Sequence, residues 1–160
     1  MSVTSPLTQR ITPFLWFKGE LQDALDLYTS VFDDSEVLAT TERGGELFAA
    51  TFRIGGIQFS GFNAEGGPAF TDAISLFVDC VDQAEVDRYW DALLAGGGRP
   101  TQCGWLVDRF GVSWQVVPRR LMELLEDPDV ARANRVQAEM LTQVKLDVAR
   151  LEAAAVGTLT

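Results

Sequence analysis

The chain has 160 residues, with 13 Lys and Arg against 23 Asp and Glu, no histidine, and a formal net charge of −10. This acidic balance argues against nucleic acid and anionic membrane surfaces as partners, because both are bound through clustered basic residues. The absence of histidine excludes imidazole bases, histidine metal ligands, and Ser-His-Asp or Cys-His catalysis.

The first part of the chain predicts a strand, a helix and three further strands. A polar arm is predicted over 1–10, followed by a strand over 11–17, where β-forming residues predominate. Apolar residues at helical spacing predict a helix over 20–32. Glycine pairs separate the next three segments and are typical of two-residue hairpin turns. Those segments are predicted as strands over 36–43, 47–54 and 57–63.

The same order of elements returns after a loop over 64–72. A strand is predicted over 73–80 and a helix over 82–95, and a hairpin follows whose strands cover 101–108 and 111–118. The remaining chain is helical and stands outside this repeated order, with apolar residues at helical spacing. Its helices pack on the modules or on a second subunit, and the sequence leaves both open. They are predicted over 119–126, 128–143 and 145–155.

The repeated order predicts two βαβββ modules, over 11–63 and 73–118, that share one domain with the added helices of 119–160. Identities between the two copies are few, so the repeat is architectural. The alignment places these pairs of residues over one another: Thr12 and Ala73, Trp16 and Phe77, Ser60 and Gln115.

The two cysteines, Cys80 and Cys103, are isolated and lack CxxC spacing. They are typical of reduced, buried thiols in a cytoplasmic protein, and a thiolate nucleophile would lack a histidine partner. No apolar run approaches the ~18 residues of a membrane span, and the N-terminal residues lack a signal-peptide pattern. We therefore expect a cytoplasmic protein without a membrane partner.

Three segments carry a family resemblance: ITPFLWFKGELQDALDLYTSVF, AISLFVDCVDQAEVDRYW and QCGWLVDRFGVSWQVVP. They resemble the vicinal oxygen chelate superfamily of glyoxalases, bleomycin resistance proteins and dioxygenases. The closer resemblance, over about residues 11–155, is to its PhnB-like branch, often labelled 3-demethylubiquinone-9 3-methyltransferase-like. It implies an α+β fold in which two βαβββ modules form a curved, incomplete eight-stranded mixed barrel with added C-terminal helices. It also implies a cup-shaped ligand site and a homodimer.

In metal-using relatives, the resemblance implies four inward side chains that hold a divalent metal. The matching positions here are Thr12, Ser60, Ala73 and Gln115, with Pro13 as the alternative for the first. One amide and two hydroxyls are too few ligands for a transition metal or Mg²⁺. We therefore expect no metal and no cofactor.

Strand alternation indicates which side chains share the cup face with these positions. Ser113 and Val117 accompany Gln115, while Trp114 and Val116 face the helices. The other face of the fifth strand is assigned to the helix-packed core: Ile74, Leu76 and Val78. An aromatic cup with a few neutral polar groups suits a small aromatic or apolar ligand, although the aromatic rings could equally fill the barrel or a dimer interface. The predicted ligand-binding residues are Thr12, Phe14, Trp16, Gln58, Ser60, Phe62, Ser75, Phe77, Trp105, Ser113 and Gln115.

Two carboxylates near the cup, Glu65 and Asp79, are the candidate catalytic bases, whereas Asp108 is predicted to cap the turn of the last hairpin. The preferred function is binding of a small molecule without a metal. The resemblance to bleomycin-resistance-type proteins implies that this fold can sequester a drug without catalysis. One alternative is a metal-independent isomerase, lyase or transferase, with methyl transfer suggested by the family label only. The other is a non-catalytic structural dimer.

Overall fold

The fold was analysed in a computed structural model that describes residues 9–158. Most of the arm predicted over 1–10, and the last two residues, lie outside the described residues. The chain divides into two compact units between Ala69 and Phe70, within the loop predicted over 64–72.

The first module is a four-stranded mixed sheet of order β1-β4-β3-β2 with one helix. Its first and last strands run parallel, while β2, β3 and β4 form antiparallel hairpins. Both residues of each glycine pair have positive φ, from 55° to 85°, as a type I′ hairpin turn requires. The elements are β1 (Phe14–Phe17), α1 (Leu21–Val31), β2 (Glu36–Arg43), β3 (Glu46–Ile54) and β4 (Ile57–Asn63).

The core of the first module lies between α1 and one face of this sheet. Tyr28 and Leu25 on α1 are at most 1% exposed, and so is Phe17 at the end of β1. Phe52 and Phe59, opposite one another on β3 and β4, stack with their ring centres 5.8 Å apart. Burial therefore follows the alternation of the strands and leaves the second face of the sheet without a helix.

A β-bulge changes the face on which one aromatic side chain lies. Thr41 pairs with Ala49 and Glu42 pairs with Leu47, so Phe48 is an extra residue on β3. An extra residue in one strand re-aims the side chains beside it. The Phe48 ring accordingly lies 5.6 Å from the ring of Phe62, rather than in the core under α1.

The second module repeats the pattern, with a mixed sheet of order β5-β8-β7-β6. Strands β5 and β8 run parallel and the other pairs are antiparallel. Three helices follow the last strand. The elements are β5 (Leu76–Cys80), α2 (Gln83–Leu94), β6 (Arg99–Pro100), β7 (Trp105–Val107), β8 (Ser113–Pro118), α3 (Arg119–Leu125), α4 (Val130–Met140) and α5 (Val148–Val156).

The turn between β7 and β8 is built around a buried carboxylate. Asp108 is 3% exposed and accepts hydrogen bonds from the backbone N–H groups of Phe110 and Val112. Its second oxygen accepts a 2.9 Å hydrogen bond from the indole Nε1 of Trp114. The prediction that Asp108 caps this turn is confirmed.

The C-terminal helices pack on the second module. Val117 of β8 joins Leu121, Val136, Leu146 and other apolar residues in one buried cluster. The backbone N–H groups of Cys103 and Gly104 donate to the carbonyls of Gln143 and Val144, at 2.9 and 2.8 Å. Val117 therefore lies on the predicted face of its strand, but helices cover it and it does not line a cup.

A side chain on α2 also joins these helices to the module. The Gln83 amide donates to the Leu146 carbonyl at 3.0 Å, and its oxygen accepts from the N–H of Val148 at 2.8 Å. Nearby, Lys145 forms a 2.7 Å ion pair with Asp87. The hydrogen bond from Lys145 holds the pKa of the Asp87 carboxyl below its ordinary value.

The predicted fold class is confirmed: two βαβββ modules, with four strands in each sheet, followed by helices. Several bounds were wrong, among them the end of α4 at Met140 instead of 143 and the start of α5 at Val148 instead of 145. The strands predicted from 11 and 73 begin at Phe14 and Leu76, and the strand predicted over 101–108 is a short β7 after the unpredicted two-residue β6. Ile74 therefore precedes β5 and is 72% exposed instead of lying in the core.

The register corrects the predicted alignment of the modules. Phe14 lies opposite Ser60 in the first sheet, and Phe77 lies opposite Gln115 in the second. Phe77 is thus the counterpart of Phe14, two residues beyond the predicted match. Because side chains alternate with a period of two, the assignment of faces survives this shift.

No helix within residues 9–158 is long and apolar enough to cross a bilayer.

Candidate functional site

The helix-free face of the first sheet carries an aromatic cluster, here defined as Phe14, Trp16, Phe48 and Phe62. The Phe62 ring is at its centre, with edge-to-face contacts to Phe14 at 5.3 Å and to Trp16 at 4.7 Å between ring centres. Phe14 remains 56% exposed and Trp16 43% exposed. The cluster therefore presents aromatic surface that the described chain does not bury.

Polar groups surround the aromatic cluster. The Arg43 guanidinium lies 3.7 Å from the centre of the Phe48 ring, in a cation–π contact. Gln58 and Ser60, on the same face of β4, are half-buried and neutral. Thr12 precedes β1 and is also half-buried. The structure thus brings the predicted ligand residues of β1 and β4 onto one face of the first sheet.

The corresponding face of the second sheet has a polar centre. Gln115 lies between Phe77 on β5 and Trp105 on β7 in the register of the sheet. Its amide donates a 2.9 Å hydrogen bond to the Ser75 hydroxyl. Phe77 is 51% exposed. The other face of β8 packs as predicted, because Trp114 and Val116 are buried.

An open cavity of about 420 Å³ lies beside β6 and β7 of the second module. It includes two predicted ligand residues, Trp105 and Ser113, and six residues that were not predicted to bind a ligand. Most of the six lie in loops or in the two-residue β6, where no periodic pattern marks them. The lining residues are Asp72, Arg99, Thr101, Gln102, Cys103, Trp105, Val107 and Ser113.

The two candidate bases occupy exposed positions. Asp79 forms a 2.7 Å ion pair with Arg119, and about half of each side chain is exposed. The hydrogen bonds that the Arg119 guanidinium donates to the Asp79 carboxylate raise the pKa of the guanidinium. Glu65 lies exposed in the loop after β4. Neither carboxylate lies in the desolvated pocket that usually tunes a general base.

The residues at the carried-over metal positions do not fit a divalent metal. The shifted register makes Ser75, rather than Ala73, the counterpart of Thr12. Hydroxyl groups and one amide are then the only donors offered at these positions, and the amide nitrogen of Gln115 already donates to Ser75. Among the described residues, no three His, Cys, Asp or Glu side chains group together as a metal site would need.

The cysteines differ in accessibility. Both are free thiols; Cys80 is buried and Cys103 is half-buried at the cavity. Burial raises the pKa of the Cys80 thiol to about 12. Cys80 is therefore protonated at neutral pH and does not supply a thiolate nucleophile.

Comparisons with known proteins agree with this architecture. The profile of the 3-demethylubiquinone-9 3-methyltransferase family matches residues 9–117. The chain belongs to this family. The match spans both modules and ends before α3, so the C-terminal helices lie beyond the family profile. The PhnB-like resemblance is confirmed.

Solved structures show the same fold. A Bacillus cereus PhnB protein named for this methyltransferase family is 31% identical, with a TM-score of 0.64 over 69% of this chain and 99% of that chain. A Pseudomonas aeruginosa protein is 21% identical, with a TM-score of 0.57 over 69% and 98%. No protein of curated function matches this chain.

Proposed function

We propose that this PhnB-like protein binds a small, planar and largely apolar molecule on its helix-free sheet faces, without a divalent metal. The observation that carries the proposal is the aromatic cluster of the first module, with Trp16 and Phe14 half exposed around Phe62. Contiguous exposed apolar surface of this kind marks binding sites in soluble proteins. Aromatic rings also bind flat molecules in offset or edge-to-face geometry.

The neutral polar groups beside the rings support a ligand with little net charge. Ser60 and Gln58 border the cluster on β4, and the Ser75–Gln115 pair occupies the equivalent face of the second module. A few placed hydrogen-bonding groups in an apolar lining are typical of small-molecule sites. Thr12 and Phe77 complete the proposed ligand-binding set with the cavity residues Trp105 and Ser113.

The test uses 2-naphthol, a planar and nearly uncharged probe, titrated into the protein in excess EDTA and followed by tryptophan fluorescence and calorimetry. Trp16→Ala and Phe62→Ala are expected to weaken binding about tenfold or more, as loss of a central aromatic contact does. Ile57→Ala is the matched control, because Ile57 is 52% exposed at the start of β4 and alternates onto the face opposite Phe62. Equal binding by Trp16→Ala and Ile57→Ala, or binding abolished by EDTA, would contradict the proposal.

The assembly and location proposed with this function are a cytoplasmic homodimer without a nucleic-acid or membrane partner. The net charge of −10 supports the last two points, and the free cysteines are consistent with a reducing compartment. Exposed apolar side chains on the sheet faces also suit a second copy of the chain. Sedimentation at several concentrations tests the dimer, and a ligand that leaves the sedimentation unchanged separates binding from assembly.

Catalysis is the alternative, and the family name makes methyl transfer the first reaction to test. The glycine runs at 44–45, 55–56 and 96–98 lie in hairpin turns and after α2, not between a strand and a helix where nucleotide-like donors bind. A metal-independent isomerase or lyase would instead use Glu65 or Asp79 as its base. Turnover found in the wild type and lost in Glu65→Gln or Asp79→Asn would replace the binding proposal with this alternative.

A further inference from the structure

The cavity of the second module holds two opposite charges that do not pair with each other. Arg99 and Asp72 both line it, and both side chains are exposed. Within residues 9–158, neither side chain forms a hydrogen bond or an ion pair, whereas most other arginines do. A guanidinium and a carboxylate that share a cavity without neutralising each other are available to a ligand.

The cavity wall also offers a neutral polar group. Ser113 lines the cavity, and the residue as a whole is only 3% exposed. Its hydroxyl makes no hydrogen bond with another described residue and is not one of the fully buried polar atoms, so it is open to the cavity. A ligand in the cavity can therefore hydrogen-bond to it in place of water.

We propose that this cavity binds a small zwitterion, a molecule that carries an ammonium group, a carboxylate and an apolar body. Arg99 receives the carboxylate in a charge-assisted hydrogen bond, and Asp72 receives the ammonium group. Trp105 supplies the flat apolar surface, and the Ser113 hydroxyl donates or accepts a further hydrogen bond. The inference rests on the proposed function, because Trp105 and Ser113 belong to that ligand set.

The charge of the whole chain favours a zwitterion over a simple anion. A net charge of −10 repels anions and leaves Arg99 as the local exception. A simple cation would find Asp72 but would also meet the unpaired guanidinium in the same cavity. A zwitterion satisfies both groups and brings no net charge. The volume of about 420 Å³ lies in the range usual for small-molecule sites.

Three matched probes test the charge requirement: L-phenylalanine, 2-phenylethylamine and 3-phenylpropanoate. They share a phenyl ring and differ in which charged group they carry. The readout is protection of Cys103, which lines the cavity, against alkylation by iodoacetamide, followed by mass spectrometry. The chain has only two cysteines, and Cys80 is fully buried with a pKa of about 12. Cys103→Ser is the control that identifies the labelled site.

We expect L-phenylalanine to protect Cys103 at concentrations about tenfold or more below those needed for either single-charge probe. In Arg99→Gln, phenylalanine should protect Cys103 no better than 2-phenylethylamine does. In Asp72→Asn, it should protect no better than 3-phenylpropanoate does. Ser113→Ala should weaken the protection of Cys103 by phenylalanine. Arg109→Gln should leave it unchanged, because Arg109 is a nearby exposed arginine outside the cavity lining. Equal protection by all three probes, or no protection by any, would overturn the inference.

The same samples separate this inference from the proposed function. If 2-naphthol still binds in a Trp16-dependent manner while no probe protects Cys103 selectively, only the zwitterion site is refuted. If 2-naphthol also fails to bind, the proposed function fails with it.

Discussion

The two modules share a strand order but differ in what lies on their helix-free faces. In the first, Phe14, Trp16 and Phe62 form an open aromatic surface. In the second, one end of that face is covered where Val117 packs against the C-terminal helices, and a cavity with unpaired charges lies toward the other side. A repeat of architecture is therefore not a repeat of function: what is added after the repeat decides which surface stays available.

The largest expected effect tests whether the added helices belong to the second module. Leu146 is fully buried in the cluster with Val117. Leu146→Ala should lower the free energy of unfolding by about 2–5 kcal/mol, because it leaves a cavity in a packed core. Urea unfolding followed by circular dichroism measures the change. The control is Leu141→Ala, since Leu141 is 57% exposed and should change stability by less than about 0.5 kcal/mol. Similar small effects in both variants would refute the conclusion that the C-terminal helices cover this face of the second module.

A second variant tests how differently the two modules make their turns. Asp108 satisfies two backbone N–H groups and the Trp114 indole inside the turn between β7 and β8. Asp108→Ala leaves these donors without an acceptor and should lower the free energy of unfolding by about 2–4 kcal/mol. Asp108→Asn keeps one acceptor oxygen and should lower the free energy of unfolding by less than Asp108→Ala does. Denaturant midpoints compare the three proteins, and an alanine variant as stable as the wild type would show that the carboxylate is not what holds the turn.

The hairpin turns of the first module depend on glycine instead. Gly55 has φ +55°, and a Cβ built there meets no atom within 4 Å. Gly55→Ala should therefore lower the free energy of unfolding only through backbone strain, by about 1–2 kcal/mol. Gly55→Asn should cost less, because asparagine adopts this conformation more readily. Thermal unfolding of both variants checks the order, and a reversed order would indicate crowding rather than strain.

The smallest effect at neutral pH concerns a group that only the second module buries. Cys80 ends β5 where Phe17 ends β1, and burial raises the pKa of its thiol from about 9 to about 12. The folded state thus holds this proton more tightly than the unfolded state. The resulting stabilisation is complete below about pH 9 and is lost as the pH rises toward 12.

The measurement is the pH dependence of urea unfolding between pH 8 and the highest pH at which folding remains reversible. Cys80 should contribute a slope of about 1.4 kcal/mol per pH unit above pH 9. Cys80→Ala, although less stable overall, should lack that contribution. An unchanged slope in the variant would show that the thiol ionises equally easily in both states.

Much of the fold was predictable, because it depends on local signals. Glycine pairs gave both hairpins of the first module, and helical spacing gave α1 and α2 within a few residues. The first residues of the parallel strands were harder to predict. The segment over 73–80 was predicted as one strand, yet β5 begins only at Leu76, where pairing with β8 starts. Pairing between distant strands decides such bounds, and no local pattern records it.

The sequence predicted which strand face the site residues lie on, but not which parts of that face are exposed. Alternation placed Gln115, Phe77 and Ser75 together, and the hydrogen bond between Gln115 and Ser75 follows from that placement. Alternation could not show that helices cover Val117, because burial there depends on residues far along the chain. It also missed Phe48, since a bulge breaks the period on which the prediction rests.

The parallel pairing of the first and last strand of each module has a consequence for the growing chain. On the ribosome, the first sheet closes only after Asn63 has emerged, and the second only after Pro118. The cluster around Val117 waits longer, because it includes Ala155. A nascent chain that has completed both sheets therefore still carries an uncovered apolar patch, and this is the stage of synthesis at which aggregation or chaperone binding is most favoured.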